Sequence, residues 1–214
     1  MKNVIRSIYF ILAVFVGTAG VGHAADFDKG IAAFDKGDFA AALIEWKPLA
    51  KKGDADAQFN VGLLYEQGKG VPVDGNSKAM DYEIAAQNYV TAMKWYTLAA
   101  AQGYAQAQTQ LGAMYYNGQG VVQDYKTAMK WFTLAAEEGN GSAQYGLSIM
   151  HARGQSVAQD DVYAHMWANI AASTTDSWMM AELRDLLAQR MTRVQIEKAH
   201  QLAQACVAKK YRDC

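Results

Sequence analysis

Glu197 and His200 stand three residues apart in Glu197-Lys198-Ala199-His200, the carboxylate-histidine spacing that helical di-iron sites use. Such a site needs several carboxylates converging from other helices, and this chain carries one copy without partners, so the pair reads as helix surface. His151 and His165 replace a tyrosine and a methionine of an internal repeat described below, which packing explains better than catalysis. Gly118-Gln119-Gly120 follows a helical run, whereas a dinucleotide fingerprint follows a strand. Neither Gly-x-Ser-x-Gly nor Ser-x-x-Lys occurs beyond residue 24, so the common serine-hydrolase signatures are missing. Met114, Met129 and Met150 fall at helix-core spacing and suit packing rather than metal binding. The residues call for no cofactor and no metal.

The remaining reactive side chains are Cys206 and Cys214, whose chemistry depends on the compartment. Lys2 and Arg6 precede an apolar stretch from Ile8 to Val16, and small residues follow up to Gly22-His23-Ala24. This pattern predicts a secretory signal cleaved after Ala24. A retained anchor is the alternative, but a span needs about 20 apolar residues and Gly17, Gly20 and Gly22 interrupt the run. No stable membrane insertion is expected after cleavage; periplasmic residence and secretion stay undistinguished. In an oxidising compartment Cys206 and Cys214 should pair, with two free thiols as the alternative. Eight residues along one helix would separate their Cα atoms by about 12 Å, against the roughly 4.4–6.8 Å a disulfide spans. Pairing therefore requires the helix to end near Lys209 and the tail to fold back. Closing that loop is worth about 2–3 kcal/mol.

Removing Lys2 and Arg6 from the 20 basic residues leaves 18 against 21 acidic ones, which moves the net charge from −1 to −3. So nearly neutral a surface gives nucleic acid little purchase. Few prolines, many Ala, Gln, Leu and Met residues, and no alternating strand pattern point to an all-α fold.

The elements come in copies. Trp95, Trp131 and Trp167 are spaced by 36 residues, and Trp95–Lys130 matches Trp131–Met166 at 16 of 36 positions. This periodicity is the mark of a solenoid, in which each unit buries its apolar face against its neighbours. The tryptophans are expected in the core. Ala107, Leu111 and Tyr115 share one face of a first helix, which Gly118 to Val121 should end; a second helix should start after the N-cap Asp124 and end at Gly139. An earlier copy begins at Gly53 but carries 14 extra residues between Asp74 and Trp95, readable as an elongated second helix starting near Ser77 or as a projecting loop.

From Ala107 to Gly139 the chain reads Ala-x-x-x-Leu-Gly-x-Met-Tyr-Tyr-x-Gly-x-Gly-Val-x-x-Asp-Tyr-x-x-Ala-x-x-Trp-Phe-x-x-Ala-Ala-Glu-x-Gly. This resembles the Sel-one-like repeat (SLR), a relative of the tetratricopeptide repeat. The resemblance implies a right-handed solenoid of αα-hairpins with a C-terminal helical cap. The expected units are a degenerate tetratricopeptide-like pair at 25–52, repeats at 53–102 (with the insert at 75–90), 103–138 and 139–174, and capping helices at 175–214. The third copy departs from the pattern, with Ser148 for the first-helix glycine, His151 for tyrosine and Ser156 for the loop glycine. Ser177 and Thr192 should cap the two closing helices.

The resemblance further implies a protein-interaction surface lined by the first helices. Helical phase then selects Gln106, Thr109, Ala113, Tyr116 and Asn117, opposite the core face. The equivalent positions are Asp56, Phe59, Leu63, Glu66 and Gln67 in the first copy, and Ser142, Tyr145, Ile149, Ala152 and Arg153 in the third. Phe59, Leu63, Tyr116, Tyr145 and Ile149 are apolar or aromatic where a solvated face would be polar, as a partner surface requires. The alternative is that the curve of the solenoid or the insert covers them. The expected function is a monomeric, exported, non-catalytic scaffold that binds a protein or peptide of the cell envelope as an adaptor or regulator. The other reading is a cell-wall hydrolase or a peptidoglycan- or β-lactam-binding protein. Relatives associated with penicillin binding pair cysteines within their repeats, whereas this chain has cysteines only at its end.

Overall fold

The computed structural model describes the backbone of residues 19–70, 78–175 and 177–214, and the side chains of 26–70, 84–175 and 177–214. Most of the expected signal segment, residues 1–18, lies outside these ranges, as do Val71 to Ser77 at the start of the surplus. The described residues form α1 (Ala19–Asp35), α2 (Phe39–Lys51), α3 (Ala55–Glu66), α4 (Lys78–Ala100), α5 (Ala105–Asn117), α6 (Tyr125–Glu137), α7 (Gly141–Arg153), α8 (Asp161–Thr174), α9 (Trp178–Gln189) and α10 (Arg193–Ala208). There is no strand among them. The helices pack as consecutive pairs, α1 on α2, α3 on α4, α5 on α6 and α7 on α8, and each pair stacks on the next. α9 and α10 both close on α8.

Short polar side chains start the helices by accepting hydrogen bonds from otherwise unpaired N–H groups. Asp124 accepts from the backbone of Lys126 and Thr127, and Asp160 does the same for Val162 and Tyr163. Thr192 and Gln195 form a reciprocal capping box on α10. Ser177 occupies the cap position of α9 but makes no capping hydrogen bond. Gly118 and Gly154 end α5 and α7 with φ of 70° and 66°, a left-handed conformation other residues resist.

The surplus is helical over its described part. α4 has 23 residues against 13 in α6, and aligning Tyr89 with Tyr125 gives it 11 additional residues at its start, about 16 Å of extra helix. Eleven residues are close to three full turns of 3.6, so the added helix starts on nearly the same face as α6 does.

The tryptophan expectation needs correction. Trp167 is buried, but Trp95 and Trp131 are only half-buried, and the next residue in each copy, Tyr96 or Phe132, fills the core. Trp95 packs against the α2–α3 cluster and Trp131 against the α4–α5 cluster, each tying its pair to the preceding one. The core face of α5 is likewise Ala107, Leu111 and Met114, with Tyr115 half-buried.

The first-helix glycine answers the aromatic ring opposite. A Cβ on Gly62 would lie 2.7 Å from the Tyr96 ring, and one on Gly112 would lie 2.6 Å from Phe132. In the third copy the residue at the aromatic position is Ala168, which leaves room for Ser148, whose hydroxyl donates to the Ala164 carbonyl at 2.7 Å.

Candidate functional site

The groove positions chosen by helical phase meet two different fates. At the junction of α3 with the following pair, the polar positions are tied off. The Tyr104 hydroxyl donates to Asp56 Oδ1 at 2.8 Å, and the Tyr96 hydroxyl donates to Glu66 Oε2 at 2.6 Å. Gln110 Nε2 donates to the same Glu66 oxygen at 3.2 Å. The Phe59 ring packs between Tyr96 and Tyr104, with centroids at 5.6 and 5.3 Å. Burial, reinforced by the Asp56 carboxylate, pushes the Tyr104 hydroxyl up to about 12. Burial raises Tyr96 further above the ordinary tyrosine value, and its hydrogen bond to Glu66 adds to the effect. Asp56, Phe59 and Glu66, expected to face a partner, therefore join successive repeats, because Tyr96 and Tyr104 supply hydroxyls and ring faces that phase alone does not reveal. Leu63 is half-buried beside them, and Gln106 is exposed at the start of α5.

At the junction of α5 with α7 the equivalent positions stay open and converge. Thr109, Ala113, Tyr116, Asn117, Tyr145 and Ile149 line a cavity of about 320 Å³ between the two helices. Its remaining walls are Gln110, Ser142, Gly146 and the Phe132 ring. Gly146 stands where the preceding copies carry Asn60 and Gln110. A Cβ there would lie 3.0 Å from Phe132, so the missing side chain lets the ring form part of the wall. At the rim, Arg153 Nη1 donates to the Tyr116 hydroxyl at 2.7 Å, and the Tyr116 ring meets Tyr125 edge-on at 5.4 Å. No acidic side chain pairs with Arg153 among the described residues. Phe132, Gly146 and Gln110 were not selected from the sequence; the glycine replacing an amide side chain on the groove face was the available signal.

The cavity offers aromatic and aliphatic walls, a few neutral polar groups and one guanidinium, a composition suited to holding a side chain of a peptide. It presents no nucleophile paired with a base. His151 stacks on Tyr163 at 5.4 Å outside this cavity, and burial lowers its pKa against the pull of Asp160. His165 is buried beside His200, with ring centroids at 5.4 Å; burial and the positive environment of His200 and Arg184 lower its pKa, and Asp185 opposes them. Among the described residues no group of three or more His, Cys, Asp or Glu side chains could hold a metal ion. No described helix is long and apolar enough to cross a membrane.

Cys206 and Cys214 form a disulfide with Cα atoms 5.3 Å apart. α10 ends at Ala208 and the tail turns back, the geometry the cysteine spacing demands.

Stacked helix pairs with an open seam between first helices define an α-solenoid repeat scaffold. The sequence profile of the Sel1 repeat family matches residues 55–82, 84–104, 105–140 and 141–173, just over half of the chain, and the chain belongs to that family. The first two matches fall on the α3–α4 pair, where the elongated α4 spans the division between them. Sel1 repeats are typically non-catalytic scaffolds for protein–protein interaction. A sel1-like repeat-containing protein of Acanthamoeba polyphaga mimivirus is 38% identical over 71 residues, which is 33% of this chain and 11% of the viral protein. The Sel1 repeat protein of Oxalobacter formigenes superposes with a TM-score of 0.63 at 26% identity, over 88% of this chain and 72% of that one. A protective antigen of uropathogenic Escherichia coli displaying an SLR fold gives a TM-score of 0.58 at 24% identity, over 88% of this chain and 47% of that one. The chain thus spans about a tenth of the viral protein and about half of the antigen.

Proposed function

We propose that this protein is an exported, non-catalytic, monomeric scaffold that holds a protein or peptide of the cell envelope in the seam between α5 and α7, as an adaptor or regulator. The observation that carries this reading is the open cavity of about 320 Å³ at the second repeat junction, where seven of the groove-face positions converge. Export is supported by the basic start, the apolar stretch from Ile8 to Val16 and the small residues before Ala24, together with the Cys206–Cys214 disulfide.

The test is affinity capture from envelope extracts with the mature chain and with a Tyr116→Ala/Tyr145→Ala variant, bound proteins being identified by mass spectrometry. A specific partner captured by the parent should be lost by the variant while helical content stays the same. Undiminished capture by the variant sinks the assignment of the seam.

A further inference from the structure

A second cavity, of about 320 Å³, lies between α6, α7 and α8 beneath the folded-back tail. Trp167, Tyr163, His151 and Tyr211 give it aromatic walls, and Glu137 and Asp213 bring two carboxylates. Neither carboxylate has an ion-pair partner among the described residues. Lys210 and Arg212 line an adjacent cleft, which Glu137 and Tyr211 share, but they do not line this cavity. His151 Nδ1 is buried without a hydrogen-bond partner among the described residues. Burial also holds that imidazole below its ordinary pKa, so it is neutral near pH 7 and brings no competing charge.

The tail that closes this cavity is held in an unfavourable conformation. Lys210, Tyr211 and Asp213 have φ of 54°, 65° and 52°, left-handed backbone that costs non-glycine residues roughly 1–2 kcal/mol each. The Cys206–Cys214 bond fixes the far end of this segment, and Tyr211 reaches Gly139, where an added Cβ would lie 3.3 Å from its ring. Strain of this kind concentrates at ligand clamps.

We propose that the cavity beneath the tail binds an organic ammonium group, with Trp167, Tyr163 and Tyr211 contributing ring faces and Glu137 and Asp213 the countercharge. Ring faces attract cations through their quadrupoles, and carboxylates at the rim add a charge attraction that a neutral ligand cannot use. A free quaternary amine and an amine-bearing side chain share this chemistry.

Calorimetric titration of the oxidised mature chain tests it, using choline, its uncharged isostere 3,3-dimethyl-1-butanol, and Nα-acetyl-lysine methylamide. At least one cation should bind saturably and about tenfold more tightly than the isostere; the tighter of the two identifies the source as a small free amine or a side chain. Glu137→Gln and Asp213→Asn should each weaken that binding three- to tenfold, Glu138→Gln should leave it unchanged, and reducing the disulfide should weaken it. The proposal is overturned if neither cation binds saturably, if the isostere binds equally well, or if the two carboxylate variants match the parent with melting temperatures preserved. Full binding by the reduced protein overturns the part assigned to the tail.

Discussion

The two junctions along the groove are built from equivalent helix positions and end in opposite states. Where the first junction has Tyr96, Tyr104 and Glu66, the second has Phe132, Asn140 and Tyr116. Those three differences remove both hydroxyls and the carboxylate that lock α3 to its neighbour, and Gly146 removes the side chain that would fill the space. One repeat pattern thus makes a rigid joint at one end and an accessible seam at the other. Only a few positions per copy decide between them.

The largest effect separating the two should come from the helix glycines. Gly112→Ala pushes a Cβ to within 2.6 Å of a ring packed in the core and should cost about 1–3 kcal/mol in denaturant unfolding. Gly146→Ala meets the same ring at 3.0 Å from the cavity side and should cost less than about 1 kcal/mol while reducing partner capture. Equal costs would mean that the seam is as tightly packed as the core.

A smaller effect should appear in alkali at the locked junction. The folded protein holds Tyr104 at about 12, above the ordinary value of 10.0, so folding favours its neutral form. That stabilisation is complete below pH 10 and is lost as pH rises through 12. Solvent screening limits it to about 1 kcal/mol. Urea midpoints measured between pH 9 and pH 12 should fall less steeply in Tyr104→Phe than in the parent; identical slopes would detach Tyr104 from the lock.

The smallest change in stability should follow Arg153→Ala. Its bond to Tyr116 lies at the exposed rim, so the melting free energy should move by less than about 0.5 kcal/mol. Partner capture should nevertheless fall, because Tyr116 loses the group that holds it at the cavity edge. A large loss of stability would show that the open seam, too, is a structural joint.

Much of the fold was legible because it is local. The glycine exits, the Asp124 and Thr192 caps and the fold-back demanded by Cys206 and Cys214 follow from residue chemistry within a few positions. The elongated α4 was one of two readings, and the sequence did not choose between them. The groove was half legible: phase placed Thr109, Tyr116, Asn117, Tyr145 and Ile149 on the face that lines the cavity, yet put Asp56, Phe59 and Glu66 there as well. The tryptophan period marked the repeats correctly, and Trp167 is core, but in the two earlier copies Tyr96 and Phe132, one position later, turn inward instead.

The sequence by itself determined the all-α repeat, its register and its family, because periodicity and capping fix which side of a helix each residue occupies. Only the tertiary structure decided which groove positions remain available. Tyr104 reaches Asp56 from 48 residues away, and Phe132 becomes a wall because Gly146 on the next helix leaves it uncovered. Contacts of that kind depend on the distance and tilt between packed helices, which no single-helix pattern records.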